Sequence, residues 1–440
     1  MPNPVLESAV EGIELEQVYD YITDLVQKGT TGLNLFRNRA RKMAISNVTQ
    51  GGGVTRPAFR VEFRPQAGAP IQSGSGDASS MLRGSGSSWD AFTVSAPYLF
   101  SVCEISRLAQ AATNGKNRAS VAVRAAEIDN SLTQHLQGIE GLINSDGSGA
   151  YDQIPTGATV NNNTGTGLQT SSIVGMNVAF RFTDQQQVSV FPSEGGTSRG
   201  TATISTVDPV TNTLYFSTVL PSGTTNGDYL MIANGSGAVG SSLLGIQYWH
   251  VNSNTGTVAG IARSKWPARL STPTINLNGG AITPGIAQRA WVLLGRAIGP
   301  DNEAMKSAVW YGPAEQAYAI SNLFYNVQIS QNLQKASTVP DMARREPIAT
   351  FGNREYNSSF TANPNRIDLL LLSAWCIGEL IPTQLYQFGT AGTIVPVPDV
   401  GTTNGTYLAS HMFAYESALQ LVNSAPRKGL YIQQIGVPTV

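Results

Sequence analysis

The stretch that decides the fold is Ala119 to Ile143, ASVAVRAAEIDNSLTQHLQGIEGLI, followed by Asn144-Ser-Asp-Gly-Ser-Gly149. Val121, Ala125, Ile128, Leu132, Leu136, Ile139 and Ile143 recur at steps of three and four, which lays an apolar stripe along one long helix. The spacing allows the helix to extend back to Ser101, with a break at Asn114-Gly115. The turn after Ile143 carries acidic and amide side chains in the manner of a calcium loop, but the twelfth position from Asn144 is Pro155 where a bidentate Glu is required. An ordinary turn is expected there.

Downstream of this helix the pattern changes period. Val174 to Phe182, Ala202 to Val207, Thr213 to Ser217 and Asp228 to Ile232 read as short strands separated by Asp208-Pro209 and Asn226-Gly227, a small all-β insertion. Thr283-Pro284 then offers an N-cap and first-turn proline for a helix through Ile298, closed by Gly299-Pro300. A strand at Ser307 to Tyr311 and a helix from Pro313 to Tyr325 follow. Asp368 to Trp375, DLLLLSAW, is apolar enough for a strand buried at the centre of a mixed sheet. Tyr407 to Val422 fits a strand or a helix, and Pro426 to Gly429 turns it into a last strand, Leu430 to Ile435.

Upstream lie an amphipathic helix, Glu14 to Gln27, a basic cluster of Arg37, Arg39, Arg41 and Lys42, and the triple glycine 51 to 53. The cluster suits contact with nucleic-acid phosphates or simply a solvated face. Val54 to Phe63 alternates, with Phe59, Val61 and Phe63 on one side and Arg60, Glu62 and Arg64 on the other; Trp89 to Ala96 is a second such strand. Between them, residues 66 to 88 hold 5 Gly and 7 Ser among 23 positions, including Arg83. That composition buries too little apolar surface to offset its own ordering, so the segment reads as a hairpin arm that orders on contact with a neighbour.

The composition agrees with a protein covered by other copies of itself. Charged residues make up 13% of the 440, about half the share usual for soluble domains, and the net charge is -1. Cys103 and Cys376 lie in apolar sequence without ligand spacing and are expected to be reduced, buried thiols. The first residues, MPNPVLESAVEG, lack a secretion pattern, and no apolar run has the ~18 residues needed to cross a bilayer. The expectation is a protein of the cytoplasm, with no membrane partner. His135, His250 and His411 have no metal-ligand spacing, no G-x-S-x-G elbow is present, and Gly115-Lys116 is followed by Asn117 where a phosphate loop needs Ser or Thr. No catalytic, cofactor or metal residues are therefore assigned, and an enzyme is not expected.

The order of parts resembles the major capsid proteins of tailed bacteriophages with the Hong Kong 97-type fold. The resemblance is carried by the helix and turn Glu127 to Gly149, by Val251 to Lys265 (VNSNTGTVAGIARSK), and by Trp310 to Tyr318 (WYGPAEQAY). It implies an α+β chain with an N-terminal arm (1–53), an extended loop (54–97), a peripheral domain with a long spine helix (98–173, 246–305 and 401–440), a β insertion (174–245) and an axial domain (306–400). It further implies pentamers and hexamers in an icosahedral shell around double-stranded DNA, assembled in the host cytoplasm and forming part of the virion. A portal, a separate scaffolding protein and a decoration protein are the implied partners, the scaffold because no long charged helical segment precedes the loop, unless a longer precursor is trimmed.

Phe59, Arg60, Val61, Phe63, Arg64, Arg83 and Trp89 are the implied intersubunit loop residues, and Arg37, Arg39, Arg41 and Lys42 the DNA-facing candidates. Some relatives crosslink their shells through a loop lysine; no lysine occurs here between Lys42 and Lys116, so a shell held by noncovalent contacts, or by another protein, is expected. Two other readings compete, an encapsulin-like nanocompartment shell and an extracellular β-rich adhesin. The length and the insertion count against the first, and the missing export pattern against the second.

Overall fold

The computed structural model describes residues 31–43, 58–64, 88–106, 117–162, 171–299, 305–320, 350–388, 394–398 and 407–436, apart from single positions within 234–240 and residues 352 and 353. The expected helix Glu14 to Gln27, the triple glycine and the arm tip lie outside the described residues.

In chain order the elements begin with helix α1 (Thr31–Arg39), β1 (Arg41–Met43), β2 (Ala58–Arg64), β3 (Ser88–Thr93), β4 (Tyr98–Ser106) and helix α2 (Asn117–Ile143). Then come β5 (Ala150–Gln153), β6 (Thr159–Asn162), β7 (Ser171–Val174), β8 (Gln187–Phe191), β9 (Gly200–Asp208), β10 (Thr213–Phe216), β11 (Tyr229–Ile232), β12 (Thr257–Val258), β13 (Ile261–Ala262) and β14 (Thr274–Asn276). Helix α3 (Pro284–Ile298) precedes β15 (Ala308–Pro313), β16 (Thr350–Phe351), β17 (Arg354–Ser359), β18 (Arg366–Leu371), β19 (Trp375–Leu385), β20 (Ile394–Pro398), β21 (Tyr407–Asn423) and β22 (Leu430–Gln433).

These strands form three main sheets. The first has β21 at its centre, with β19 and β20 along one edge, β4 along the other, and β1 added parallel to β19. The second is an antiparallel sheet in the order β5-β11-β8-β9-β10-β7-β6. The third is mixed, β14-β22-β18-β15-β17-β16. The hairpin β2–β3 and the short pair β12–β13 stand apart from them.

Helix α2 spans 27 residues, close to the expected extent, and Ile128, Leu132, Leu136, Ile139, Leu142 and Ile143 are buried along its stripe. It lies across the first sheet, where the Tyr415 hydroxyl donates to the Ile128 carbonyl at 3.2 Å. The turn after it closes through Asn144 N–H to Gly141 and Ser145 N–H to Leu142, as expected for an ordinary turn. The helix does not reach back to Ser101. Residues 98–106 are a strand, because the period there is two: Leu99 is buried while Tyr98, Phe100 and Val102 are exposed.

Tyr407 to Val422 resolves as a strand. From Phe413 to Asn423 every residue is buried, so neither face is left for the polar half of an amphipathic helix. The apolar run Asp368 to Trp375 serves two sheets. Its first half is in β18, interior to the mixed sheet as expected; a 3₁₀ turn at Leu372–Ala374 then passes the chain to β19 in the first sheet.

The β insertion is larger than its sequence suggests. Its sheet also recruits β5 and β6, upstream of residue 174, and β8, Gln187–Phe191. The expected strand Val174 to Phe182 is corrected: it stops at Val174, where Gly175 has φ +88°, and the chain continues as a 3₁₀ turn at Ala179–Arg181. Helix α3 ends at Gly299, φ +85°, as expected, but the Thr283 side chain makes no capping bond, so only its extended backbone starts the helix. A helix over 314–320 follows β15 directly, and the rest of its expected length lies outside the described residues. The segment assigned to the axial part also splits: β15 to β18 lie in the mixed sheet, whereas β19 and β20 lie in the first, and the final strand β22 returns to the mixed sheet.

Candidate functional site

The hairpin is held to the body at its root. Phe92 is fully buried against Trp249 at 5.4 Å, edge to face, and Thr93 N–H donates to the Ala259 carbonyl at 2.8 Å. Lys265 Nζ meets Asp90 at 2.6 Å, and Trp266 Nε1 donates to the same carboxylate at 3.4 Å. The stretch Val251 to Lys265 thus supplies the seat of the hairpin: Ala259 turns through φ +46° and Gly260 through φ +88°, bringing that backbone against Thr93.

Of the loop residues named from sequence, Phe59 lies opposite Phe92, Arg60 opposite Ala91, Val61 opposite Asp90 and Arg64 opposite Ser88, while Trp89 faces Glu62. A register shift falls between Glu62 and Arg64, at Phe63, where the strand bends. Arg83 lies outside the described residues.

The four basic residues do not form one patch. Arg37 Nε is bonded to Glu379 at 2.6 Å and its Nη2 donates to Thr383, with 13% of the side chain exposed. Arg39 pairs with Glu355 at 2.6 Å on the surface. Arg41 and Lys42 sit on β1, exposed, beside Cys376 and Ile377 of β19.

Glu140 was not singled out in the sequence, yet it joins three units. It lies within the apolar stripe of α2, between Leu136 and Ile143, and is 3% exposed. Its two oxygens accept the N–H groups of Gly32 and Leu33 at the start of α1, at 2.7 and 2.8 Å. Tyr311 of β15 and Ser359 of β17 donate hydroxyl bonds at 3.2 and 3.0 Å. A charge in an apolar stripe is costly unless it is paired, and that cost is the signal in the sequence. Burial pushes the carboxyl upward, and the two main-chain donors with the hydroxyls oppose the shift. A Cβ on Gly32 would lie 2.7 Å from Glu140 Oε1 and 2.8 Å from the Tyr311 hydroxyl, so these side chains would have to shift to admit one. Asn144 extends the network to Tyr311 and Thr361, both at 3.0 Å. Arg181, fully buried, donates to the Thr361 and Tyr151 carbonyls and faces Asp152, which brings the β insertion into the same polar junction.

The histidines are packing residues. His135 is bracketed by Ser101 at 2.7 Å and Ser417 at 2.9 Å, and burial lowers its pKa to about 4. His250 is enclosed, with Nδ1 2.9 Å from Asp368 and Nε2 facing Asn423. Burial lowers His250, whereas in Asp368 the upward push of burial is reversed by Arg366 and His250. His411, on β21, is half-buried opposite Ile105 and Pro396. Cys376 is buried and Cys103 half-buried, and neither forms a disulfide. Among the described residues no three His, Cys, Asp or Glu side chains gather as a metal would require, and no helix is long and apolar enough to cross a membrane.

No family model and no curated protein matches the chain. Among solved structures, the chain is similar to one from the capsid asymmetric unit of Cyanophage A-1(L), with 13% identity over 92% of this chain and 93% of that one and a TM-score of 0.47. It is similar to a chain from the capsid of a native GTA particle, with 10% identity over 92% and 91% and a TM-score of 0.42. For a chain from the satellite phage P4 procapsid, identity is 8% over 95% and 100% and the TM-score is 0.39.

Proposed function

We propose that the chain is the major capsid subunit of a tailed phage: a Hong Kong 97-type shell protein that assembles into pentamers and hexamers around double-stranded DNA. The observation that carries the reading is the hairpin, a separate two-stranded sheet anchored to the body only at its root among the described residues, by Phe92, Asp90 and Thr93. Its Gly/Ser connection of 23 residues is too poor in apolar side chains to fold alone. Identical chains that each lend such an arm to the next make heterologous contacts, and those close into rings. Of the three sequence stretches of the resemblance, Glu127 to Gly149 covers the C-terminal part of α2 with its turn, Val251 to Lys265 holds Ala259 and Lys265 against the hairpin root, and Trp310 to Tyr318 covers the end of β15 and the start of the 314–320 helix.

In this reading α2 with the first sheet forms the peripheral part, the mixed sheet with α3 the axial part, and the seven-stranded sheet decorates the periphery, a division that moves α3 and β22 out of the peripheral share expected from sequence and β19 and β20 into it. The product is part of the virion, assembled in the host cytoplasm with a separate scaffold and a portal, and a decoration protein is accommodated on its surface. Arg39, Arg41 and Lys42 are the exposed members of the basic cluster; Arg39 is paired with Glu355, which leaves Arg41 and Lys42 as the ones available to packaged DNA. With no lysine in the arm, the shell is held without arm-lysine crosslinks. Deletion of residues 66–88 tests the reading: the shortened chain should fold but fail to assemble, and normal shells from it would show that the arm is not an intersubunit strap. Intact particles should run as a single monomer band on a denaturing gel; a ladder of covalent multimers contradicts the noncovalent shell.

A further inference from the structure

Two long stretches of the chain hold no acidic residue. Residues 229–300 contain Arg263, Lys265, Arg269, Arg289 and Arg296 but no Asp or Glu, and residues 417–440 contain Arg427 and Lys428 and again no Asp or Glu, although the whole chain carries 29 acidic residues. The fold brings these two stretches together. The 3₁₀ turn Pro426–Lys428 sits between the short helix Pro267–Leu270 and helix α3. Arg427 Nη1 donates to the Ala268 carbonyl, and the Thr272 hydroxyl donates to the Pro426 carbonyl at 2.9 Å. The surface that results has one sign of charge. Arg269, Arg289 and Arg296 are exposed, Arg427 and Lys428 are half-buried, and none of the five meets a carboxylate among the described residues. Arg289 and Arg296 stand two helical turns apart on the exposed side of α3, with Val292 between them. Behind Arg269, the buried Arg263 donates to the Leu270 and Tyr248 carbonyls and has no carboxylate partner among the described residues either.

Charge that serves solubility mixes both signs over a surface. Here, in a chain of net charge -1, positive groups are gathered and unpaired, which raises the local potential and attracts a polyanion. A protein partner would need a large apolar anchor to desolvate, and Val292 is the single exposed large hydrophobic side chain on these three elements. Cationic side chains spread over a solvated surface instead match phosphodiester oxygens, whose neutralisation releases condensed counterions. Contacts of that kind hold a duplex in place and carry no sequence information. We infer that the surface formed by Arg269, Arg289, Arg296, Arg427 and Lys428 binds the phosphate backbone of duplex DNA without sequence preference. It is separate from Arg41 and Lys42, which lie on β1 of the first sheet, and it rests on the shell reading only for the presence of a packaged genome.

The test variant combines Arg269→Gln, Arg289→Gln, Arg296→Gln and Lys428→Gln, and keeps Arg427 because it holds the Ala268 carbonyl. Fluorescence anisotropy of the full chain as free subunits, titrated against short duplexes of two unrelated sequences, reads the binding. The parent chain should bind both duplexes equally, with log K falling against log salt at a slope of about −4. The quadruple variant should bind at least tenfold more weakly, with a slope shallower by about 3. Replacing the three arginines by lysine, with Lys428 kept, should restore both affinity and slope, which separates loss of charge from loss of fold. Arg41→Gln with Lys42→Gln should leave the affinity of free subunits within about threefold of the parent chain. Equal affinity in the quadruple variant, no binding by the parent chain, or preference for one sequence overturns the inference. Tighter binding of polyglutamate than of DNA also overturns it, and assigns the surface to an acidic protein segment. Normal shells from a chain that binds no DNA remove this inference and leave the shell reading; DNA binding by a chain that never assembles does the reverse.

Discussion

Glu140 accepts the main-chain N–H of Gly32 at 2.7 Å, and through this bond a fully buried carboxylate on the long helix caps the helix that opens the described chain. Tyr311 and Ser359 bring the mixed sheet to the same oxygens. Gly32→Ala should therefore cost about 2 kcal/mol, because either the cap or the close approach is lost. Denaturant unfolding measures this, and hydrogen exchange in 31–43 should rise with it. Wild-type stability in Gly32→Ala would contradict the capping geometry.

Acid should loosen the contact between helix α2 and the first sheet through His135. Its folded pKa is lowered by burial from 6.5 to about 4, so the unfolded chain binds the proton first. The stability contributed by the neutral ring is fully present above pH 6.5 and is lost as pH falls towards 4, by roughly 3 kcal/mol at most. His135→Gln keeps polar groups between Ser101 and Ser417 without titrating. Its stability should be flatter between pH 4 and 6.5, and an unchanged slope would locate the acid sensitivity elsewhere.

Glu194 works in the opposite sense. Partial burial and the neighbouring Asp146 carboxyl raise its pKa to about 7, so its loop is held best when Glu194 is protonated. That contribution is present below the ordinary carboxylate range and is lost as pH rises through about 7. Glu194→Gln should raise the melting temperature at pH 8 relative to the parent chain and have little effect at pH 5. An equal effect at both values would show that the charge on Glu194 does not govern the loop.

At the hairpin root, burial and charge should separate cleanly. Phe92→Ala removes a fully buried ring and should cost about 3–5 kcal/mol. Asp90→Asn breaks a pair whose lysine is 59% exposed and should cost under ~1 kcal/mol. Calorimetry of the two variants checks the order, and a larger loss from Asp90→Asn would place the anchor in the ion pair.

The basic segment divides in the same way. Arg37→Gln leaves Glu379 without its guanidinium and should destabilise by about 1–3 kcal/mol, whereas Arg41→Gln with Lys42→Gln should stay within about 0.5 kcal/mol of the parent chain. Any loss of genome retention in the second variant then reflects contact with DNA. Unchanged packaging and retention would remove Arg41 and Lys42 as DNA-facing residues.

Helix α3 was marked by its terminal residues, Thr283-Pro284 and Gly299-Pro300, whereas periodicity made the long helix legible from Val121 to Ile143 and the hairpin strands legible as alternating segments. It failed where burial is two-sided or local. DLLLLSAW is uniformly apolar, so nothing along it marks the corner at Leu372 where one sheet hands over to another. Gln187–Phe191 is short, and Tyr98–Ser106 exposes its aromatic residues, so neither has the expected inward pattern. The polar junction at Glu140 depends on partners 107 to 219 residues away, which spacing cannot disclose, although a carboxylate between Leu136 and Ile143 was a visible anomaly.

The most direct measurement is electron microscopy of the purified full chain, with and without co-expressed phage scaffold. The account predicts pentamers, hexamers or closed icosahedral shells in which each hairpin lies on an adjacent subunit. A strictly monomeric chain under every condition would contradict it.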